Sequence, residues 1–202
     1  MAKSFTVGID LGTALTRCVI LSASAEGSEV LASVSVPSRG VRHGYIVNLP
    51  EAAATIRRAA DLAEKESGVS IRRAVFSIGG VSLSSENAQG SAIISKADGE
   101  ITSFDVKAAY ASAEESLSNK NREIIHRSPV AWKLDGKDIQ GKPEGMHGIK
   151  LEVKMLYVTC LSQHLDDLLA AAAEAEIEAI DVIPSSIAAS TIALTERQKA
   201  VG

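Results

Sequence analysis

The chain opens on a run of mostly apolar residues, Phe5-Thr6-Val7-Gly8-Ile9, the pattern of a buried strand with a β-branched residue at its centre. Asp10-Leu11-Gly12-Thr13 breaks that run and places a glycine where a tight turn is wanted. β character resumes over residues 16–21, so the two runs form a hairpin whose turn carries Asp, Gly and Thr. Residues 29–37 set Val30, Ala32, Val34 and Val36 against Leu31, Ser33 and Ser35, which predicts a third strand after a turn at residues 25–27. A Gly-punctuated, irregular connection over residues 38–47 leads to a helix. Asn48 caps it, Pro50 and Glu51 sit in its first turn, and Ala52, Ile56, Ala59 and Ala63 make its apolar stripe. Gly68 ends the helix, and residues 73–78 form a strand that stops at Gly79-Gly80. Strand, helix and strand in that order predict a parallel crossover, hence an α/β fold.

The alternation then changes. From Val81 the chain is strand-like through Ile94, breaks at Asp98-Gly99 and enters a helix. That helix has Thr102 and Asp105 at capping-box spacing and a stripe of Val106, Tyr110, Ala113 and Leu117. A polar loop at residues 119–122 precedes two β runs, 123–134 and 149–160, joined across Asp135-Gly136 and the loop at 141–145. Leu151, Val153, Met155, Tyr157 and Thr159 alternate with Glu152, Lys154 and Leu156, so this sheet has one buried and one wet face. The pattern predicts a compact inserted unit at 81–161, flanked by two parts of a host unit, 1–80 and 162–202. In the second part the α/β order returns, with a helix at 165–175, a strand at 179–183 and a helix at 185–194 after Pro184. A charged segment, Glu196-Arg197-Gln198-Lys199, follows.

Composition narrows the classes. With 202 residues, 46% of them hydrophobic, the chain is long enough for one sizeable core or two small ones. Its 21 basic and 25 acidic residues are interspersed, which gives no surface for nucleic acid. Cys18 and Cys160 lie far apart in apolar runs and read as buried thiols of a reducing compartment, not as a disulfide. No signal peptide precedes the first strand, and five acidic residues between 165 and 180 exclude a spanning helix there, so the expected location is cytoplasmic. The four histidines have no cysteine or carboxylate at ligand spacing, so no metal site is expected. No Ser, His and Asp set has a nucleophile context, so no catalytic residue is expected either.

The first turn can carry chemistry. Its backbone N–H groups and the Thr13 hydroxyl can face a phosphate, while Asp10 can hold the water shell of a magnesium ion. The same residues also suit a plain hairpin with a small turn. Gly79-Gly80, where the pattern breaks, reads better as a hinge than as a phosphate cradle.

Gly8-Ile9-Asp10-Leu11-Gly12-Thr13 resembles the first phosphate motif of the actin, Hsp70 and sugar-kinase superfamily. Further along, Ser38-Arg39-Gly40-Val41 with Gly44-Tyr45-Ile46-Val47 is similar to a signature of FtsA, the bacterial actin-like cell-division family. So are the spacing of Gly80, Leu83, Ser85, Asn87 and Gly90, the loop Pro143, Gly145-Met146, Gly148, and the stretch from Pro184 to Thr195. The resemblance covers essentially the whole chain. It implies half of an actin/Hsp70-like ATPase fold, a ribonuclease H-like subdomain with an inserted α+β subdomain of SHS2 type. The second phosphate motif, second lobe and amphipathic membrane helix of the family would fall beyond residue 202.

What the resemblance implies about function is a scaffold, not an enzyme. Such a protein tethers the division ring to the inner face of the membrane, contacts FtsZ and membrane-bound division proteins, and self-associates into filaments. ATP and magnesium would belong to the full-length protein, with Asp10, Gly12, Thr13, Ala14 and Arg17 as this chain's share of the site. Ala14 and Leu15 replace the family's usual polar pair, and Arg17 can reach a phosphate or face solvent. Half a cleft cannot enclose a nucleotide, so tight binding by this chain alone is not expected. The inserted unit concentrates acid at Asp98, Glu100, Asp105, Glu114 and Glu115, which reads either as helix capping or as a surface for a basic partner. Two other readings stay open: an actin-like assembly protein of type IV pili, and a superfamily ATPase or small-molecule kinase.

Overall fold

A computed structural model describes residues 4–24, 27–118 and 121–201. The expected turn at 25–27 and the polar loop after residue 118 fall largely outside them. The chain divides into two compact units, one of residues up to Leu83 and from Cys160 on, the other Ser84–Thr159.

The first unit is built on a five-stranded sheet. Strands β1 (Ser4–Leu11), β2 (Leu15–Ser24) and β3 (Gly27–Pro37) form an antiparallel meander. The irregular connection that follows holds a small hairpin, β4 (Val41–Arg42) with β5 (Tyr45–Ile46). Helix α1 (Leu49–Ser67) then crosses to β6 (Arg73–Ile78), which pairs parallel with β1. Asn48 caps α1 by accepting from the Glu51 N–H at 3.2 Å, and the expected stripe of Ala52, Ile56, Ala59 and Ala63 is fully buried. Its N-terminus is seated on Gly40, where a Cβ would lie 2.3 Å from the Asn48 carbonyl oxygen.

In the second unit β7 (Ser84–Ile93) begins three residues later than the apolar pattern suggests, because Gly80 takes a φ of 98° and Val81-Ser82 turn. Helix α2 (Ser103–Glu115) follows, then β8 (Arg122–Leu134), the short β9 (Lys137–Ile139) and the long β10 (Lys150–Leu161), which ends in the first unit. The sheet order is β7-β10-β8-β9, with β7 and β10 antiparallel over ten pairs. Helix α2 packs on β7, and Leu151, Val153, Met155 and Tyr157 bury the helix-facing side of β10. Gly90 is the point of closest approach: a Cβ there would sit 2.1 Å from the Ala109 carbonyl oxygen.

The chain returns through α3 (Ser162–Glu174), β11 (Glu178–Pro184), α4 (Ser185–Ala193) and α5 (Glu196–Val201). Strand β11 pairs parallel with β6, giving the order β11-β6-β1-β2-β3. Helices α1 and α3 pack together, and α1 lies against β2 and β3. The charged segment after residue 195 is helical because Thr195 and Gln198 hydrogen-bond reciprocally at its start and Lys199 pairs with Glu196. Cys18 and Cys160 are both buried and form no disulfide, and burial pushes the Cys18 thiol up to about 11. Among the described residues no helix is long and apolar enough to cross a membrane.

Gly90→Ala should cost about 3 kcal/mol, because the added methyl group meets α2 backbone, which cannot move aside as a side chain would. Urea unfolding measures it; a loss below about 0.5 kcal/mol would mean that α2 is not seated as described.

Candidate functional site

The two-residue turn between β1 and β2 is closed by the Gly12 N–H, which donates to the Leu15 carbonyl at 3.2 Å. The N–H groups of Thr13 and Ala14 take no part in the turn's own hydrogen bonds. Two contacts hold the turn from outside: Ser38 N–H donates to the Ala14 carbonyl at 3.0 Å, and Gly44 N–H donates to the Thr13 hydroxyl at 2.9 Å. Asp10 lies on β1 opposite Arg17 of β2 and beside Ser77 of β6. One carboxylate oxygen accepts from the Ser77 hydroxyl, and the other faces the Arg17 guanidinium at 3.3 Å. Of the two openings left to Arg17 by the sequence, it takes a third and pairs with Asp10. Asp10, Arg17 and Ser77 also edge a cavity of about 640 Å³ between the sheet and α4, whose walls include Val19, Val75 and Ile183. Asp10, Gly12, Thr13, Ala14 and Arg17 thus come together around one hairpin end.

The acidic residues of the second unit do not form one surface. Asp105 is 1% exposed, and its carboxylate accepts from the Thr102 N–H and hydroxyl and from the Ser95 N–H, at 2.7–2.9 Å. It is a buried structural cap. Those hydrogen bonds, Thr102 foremost, hold its carboxyl well below the usual carboxylate range. Glu114 makes a two-pronged pair with Arg127 at 2.9 and 3.0 Å, so it is not a free acid either. Asp98 caps the Glu100 N–H and Glu100 pairs with Lys96. Glu115 is exposed at the far end of α2, about 18 Å from the helix start.

A third cluster had no signal in the sequence. His164, in the first turn of α3, is 5% exposed; its Nδ1 shares a hydrogen bond with the Ser82 hydroxyl, and its ring lies 4.9 Å from that of Tyr45. Burial lowers its pKa. Apolar spacing around residues 162–168 marks a helix but not which polar side chain it buries.

Comparison with known proteins bears on both units. Residues 80–159 match the family model described as the SHS2 domain inserted in FtsA. Over 97% of its length the chain is 28% identical to the cell division protein FtsA of Bacillus subtilis, and likewise 28% over 97% to that of Pseudomonas aeruginosa. The FtsA of Escherichia coli K12 is 24% identical over 99% of the chain. The chain is thus similar to FtsA over nearly its whole length. It spans less than half the length of these relatives, 44% of the first and 47% of the other two. Among solved structures, the PilM-PilN type IV pilus biogenesis complex matches 92% of the chain and 49% of its own with a TM-score of 0.60. At 14% identity that likeness carries the fold alone. The fold class is therefore that of actin-like ATPases with an inserted SHS2 domain.

That class implies ATP and magnesium. To a phosphate the turn offers the N–H groups of Thr13 and Ala14, which close no hydrogen bond of the turn itself, and the Thr13 hydroxyl. For magnesium the turn offers Asp10, whose oxygens meet Ser77 and Arg17 and keep lone pairs for a metal-bound water.

Asp105→Ala should destabilise the second unit by about 2 kcal/mol at pH 7, since it strands the Ser95 and Thr102 N–H groups. The Asp105 contribution is fully present above the unfolded carboxyl pKa of about 4 and fades as pH falls below it toward the depressed folded value. Chemical unfolding of both proteins at pH 7 and near pH 2.5 checks this; an equal gap at both values would contradict it.

Proposed function

We propose that this chain is the polyphosphate-turn and partner-binding portion of an actin-like division scaffold of the FtsA kind, and not an enzyme in itself. The observation that carries this reading is the SHS2 match over residues 80–159 within a likeness to FtsA that runs through 97% of the chain. In that reading the full protein works at the inner face of the membrane at the division site. It binds ATP and magnesium in a cleft that this chain supplies in half, contacts FtsZ, and self-associates. Sequence likeness favours division over pilus assembly, since the pilus complex shares the fold at only 14% identity.

The partner surface belongs to the second unit. With Asp105 buried, Glu114 paired with Arg127 and Glu100 paired with Lys96, the acid left for a basic peptide is Asp98 and the exposed Glu115. Such a contact is weak and salt-sensitive.

Two measurements test the reading. Calorimetry should find magnesium-ATP binding weaker than about 100 μM, because a few hydrogen bonds at about 1 kcal/mol each face an association penalty of at least about 4 kcal/mol. Micromolar binding abolished by Asp10→Ala would contradict it. A Lys/Arg-rich peptide should shift amides within residues 96–118, less so in an Asp98→Asn, Glu115→Lys double variant. Shifts confined to other residues would put the partner elsewhere.

A further inference from the structure

The His164 cluster ties together three segments that lie far apart in the chain. His164 sits in the first turn of α3, 5% exposed, and its Nδ1 shares a hydrogen bond with the Ser82 hydroxyl, a side chain itself buried. The Tyr45 ring lies 4.9 Å from the imidazole, and the Gly44 carbonyl faces it closely enough to favour its charged form. The N–H of that same Gly44 donates to the Thr13 hydroxyl at 2.9 Å. We propose that His164 is a positioning residue: through Gly44 it sets Thr13 at the hairpin end, and through Ser82 it ties that end to the segment by which the chain leaves for β7. This role does not depend on what the hairpin end binds.

Backbone packing makes the link stiff. Gly44 and Gly80 take φ of 84° and 98° and lie against each other with no side chain between them. A Cβ on Gly44 would stand 3.1 Å from the Gly80 Cα, and one on Gly80 would stand 3.2 Å from the His43 carbonyl oxygen. The void bordered by Gly44, Gly79, His164 and Leu168 is about 10 Å³, room for one water at most. Backbones packed this closely pass on a displacement instead of absorbing it. Around the ring, β5 brings Tyr45, residues 79–82 bring Ser82, and α3 brings Asp167, the one charge among them. Burial, helped by the place of the ring at the start of a helix, holds the imidazole neutral against the Gly44 carbonyl and Asp167. Charging it strengthens the pull on that carbonyl and leaves Ser82 only to accept at Nδ1. Through the Gly44 N–H the change reaches Thr13, and by reciprocity a change at Thr13 reaches the ring.

The test follows the amide and imidazole signals of the whole chain from about pH 8 to about pH 5. The His164 ring should titrate below the ordinary histidine value of about 6.5, and the amides of Thr13, Gly44 and Ser82 should move with its midpoint. His164→Gln keeps a polar group but does not titrate, and should flatten that step at all three. Thr13→Val, at an exposed position, swaps the hydroxyl for a methyl group and should shift the His164 ring protons and the Ser82 amide. Urea unfolding of each variant reports any general loss of stability, which a merely structural histidine would show without the coupled shifts. Thr13 and Gly44 amides that stay level while the ring titrates would overturn the role. Should the ring stay neutral throughout, Thr13→Val decides: unchanged ring protons and an unchanged Ser82 amide would overturn it equally.

Discussion

Helix α1 rests on its sheet through alanine. Ala52, Ala53, Ala59, Ala60 and Ala63 are all buried, with Ile56 the one large side chain among them. Small side chains let helix and sheet backbones approach until close packing, not bulk, holds them. That approach continues into the connection before the helix, where Val47 and Asn48 both donate to the Gly40 carbonyl. The connection in turn holds the hairpin end: Ser38 donates to Ala14 and shares a hydrogen bond with Thr16, and Gly44 donates to Thr13. The hairpin end is therefore placed through the connection that α1 anchors. The second unit repeats the device, with Ala109 and Ala113 of α2 over Gly90.

Such a core suits a chain with 3% aromatic residues, and it shifts where the chain is sensitive. Removing a methyl group from an alanine face opens little space, whereas adding one pushes backbones apart. The large buried side chains, Phe76 in the first unit and Tyr157 with Trp132 in the second, sit on strands at the sheet face.

What could be read from the sequence is what local signals specify. The cap at Asn48, the pairing of Thr102 with Asp105 and the alternation along β10 depend on residues within a few positions of one another, and each is found as expected. The hairpin end was legible for the same reason, Gly12 marking a turn between two strands. Its electrostatics were not. Ser77 reaches Asp10 from 67 residues away through the parallel pairing of β1 and β6, and only that pairing shows that the carboxylate has a donor there. Glu114 looked solvated because its partner Arg127 lies on a strand 13 residues on. Asp105 was visible as a cap, but its burial depends on the Ser95 N–H arriving from the preceding loop.

The Asp10–Arg17 pair explains why one hairpin can look like a metal-phosphate motif and still be satisfied without metal. One side of the pair meets the cavity walled by Val19, Val75 and Ile183, where a lone charge would be poorly solvated. The other side is open to water, which limits the pair to about 1 kcal/mol or less. An arrangement of this kind removes the charge problem at low cost and leaves it easily reversed. Gly44 and Ser38 hold the hairpin end through the Thr13 hydroxyl and the Ala14 carbonyl, so its placement is set by the connection before α1 and not by the Asp10–Arg17 pair.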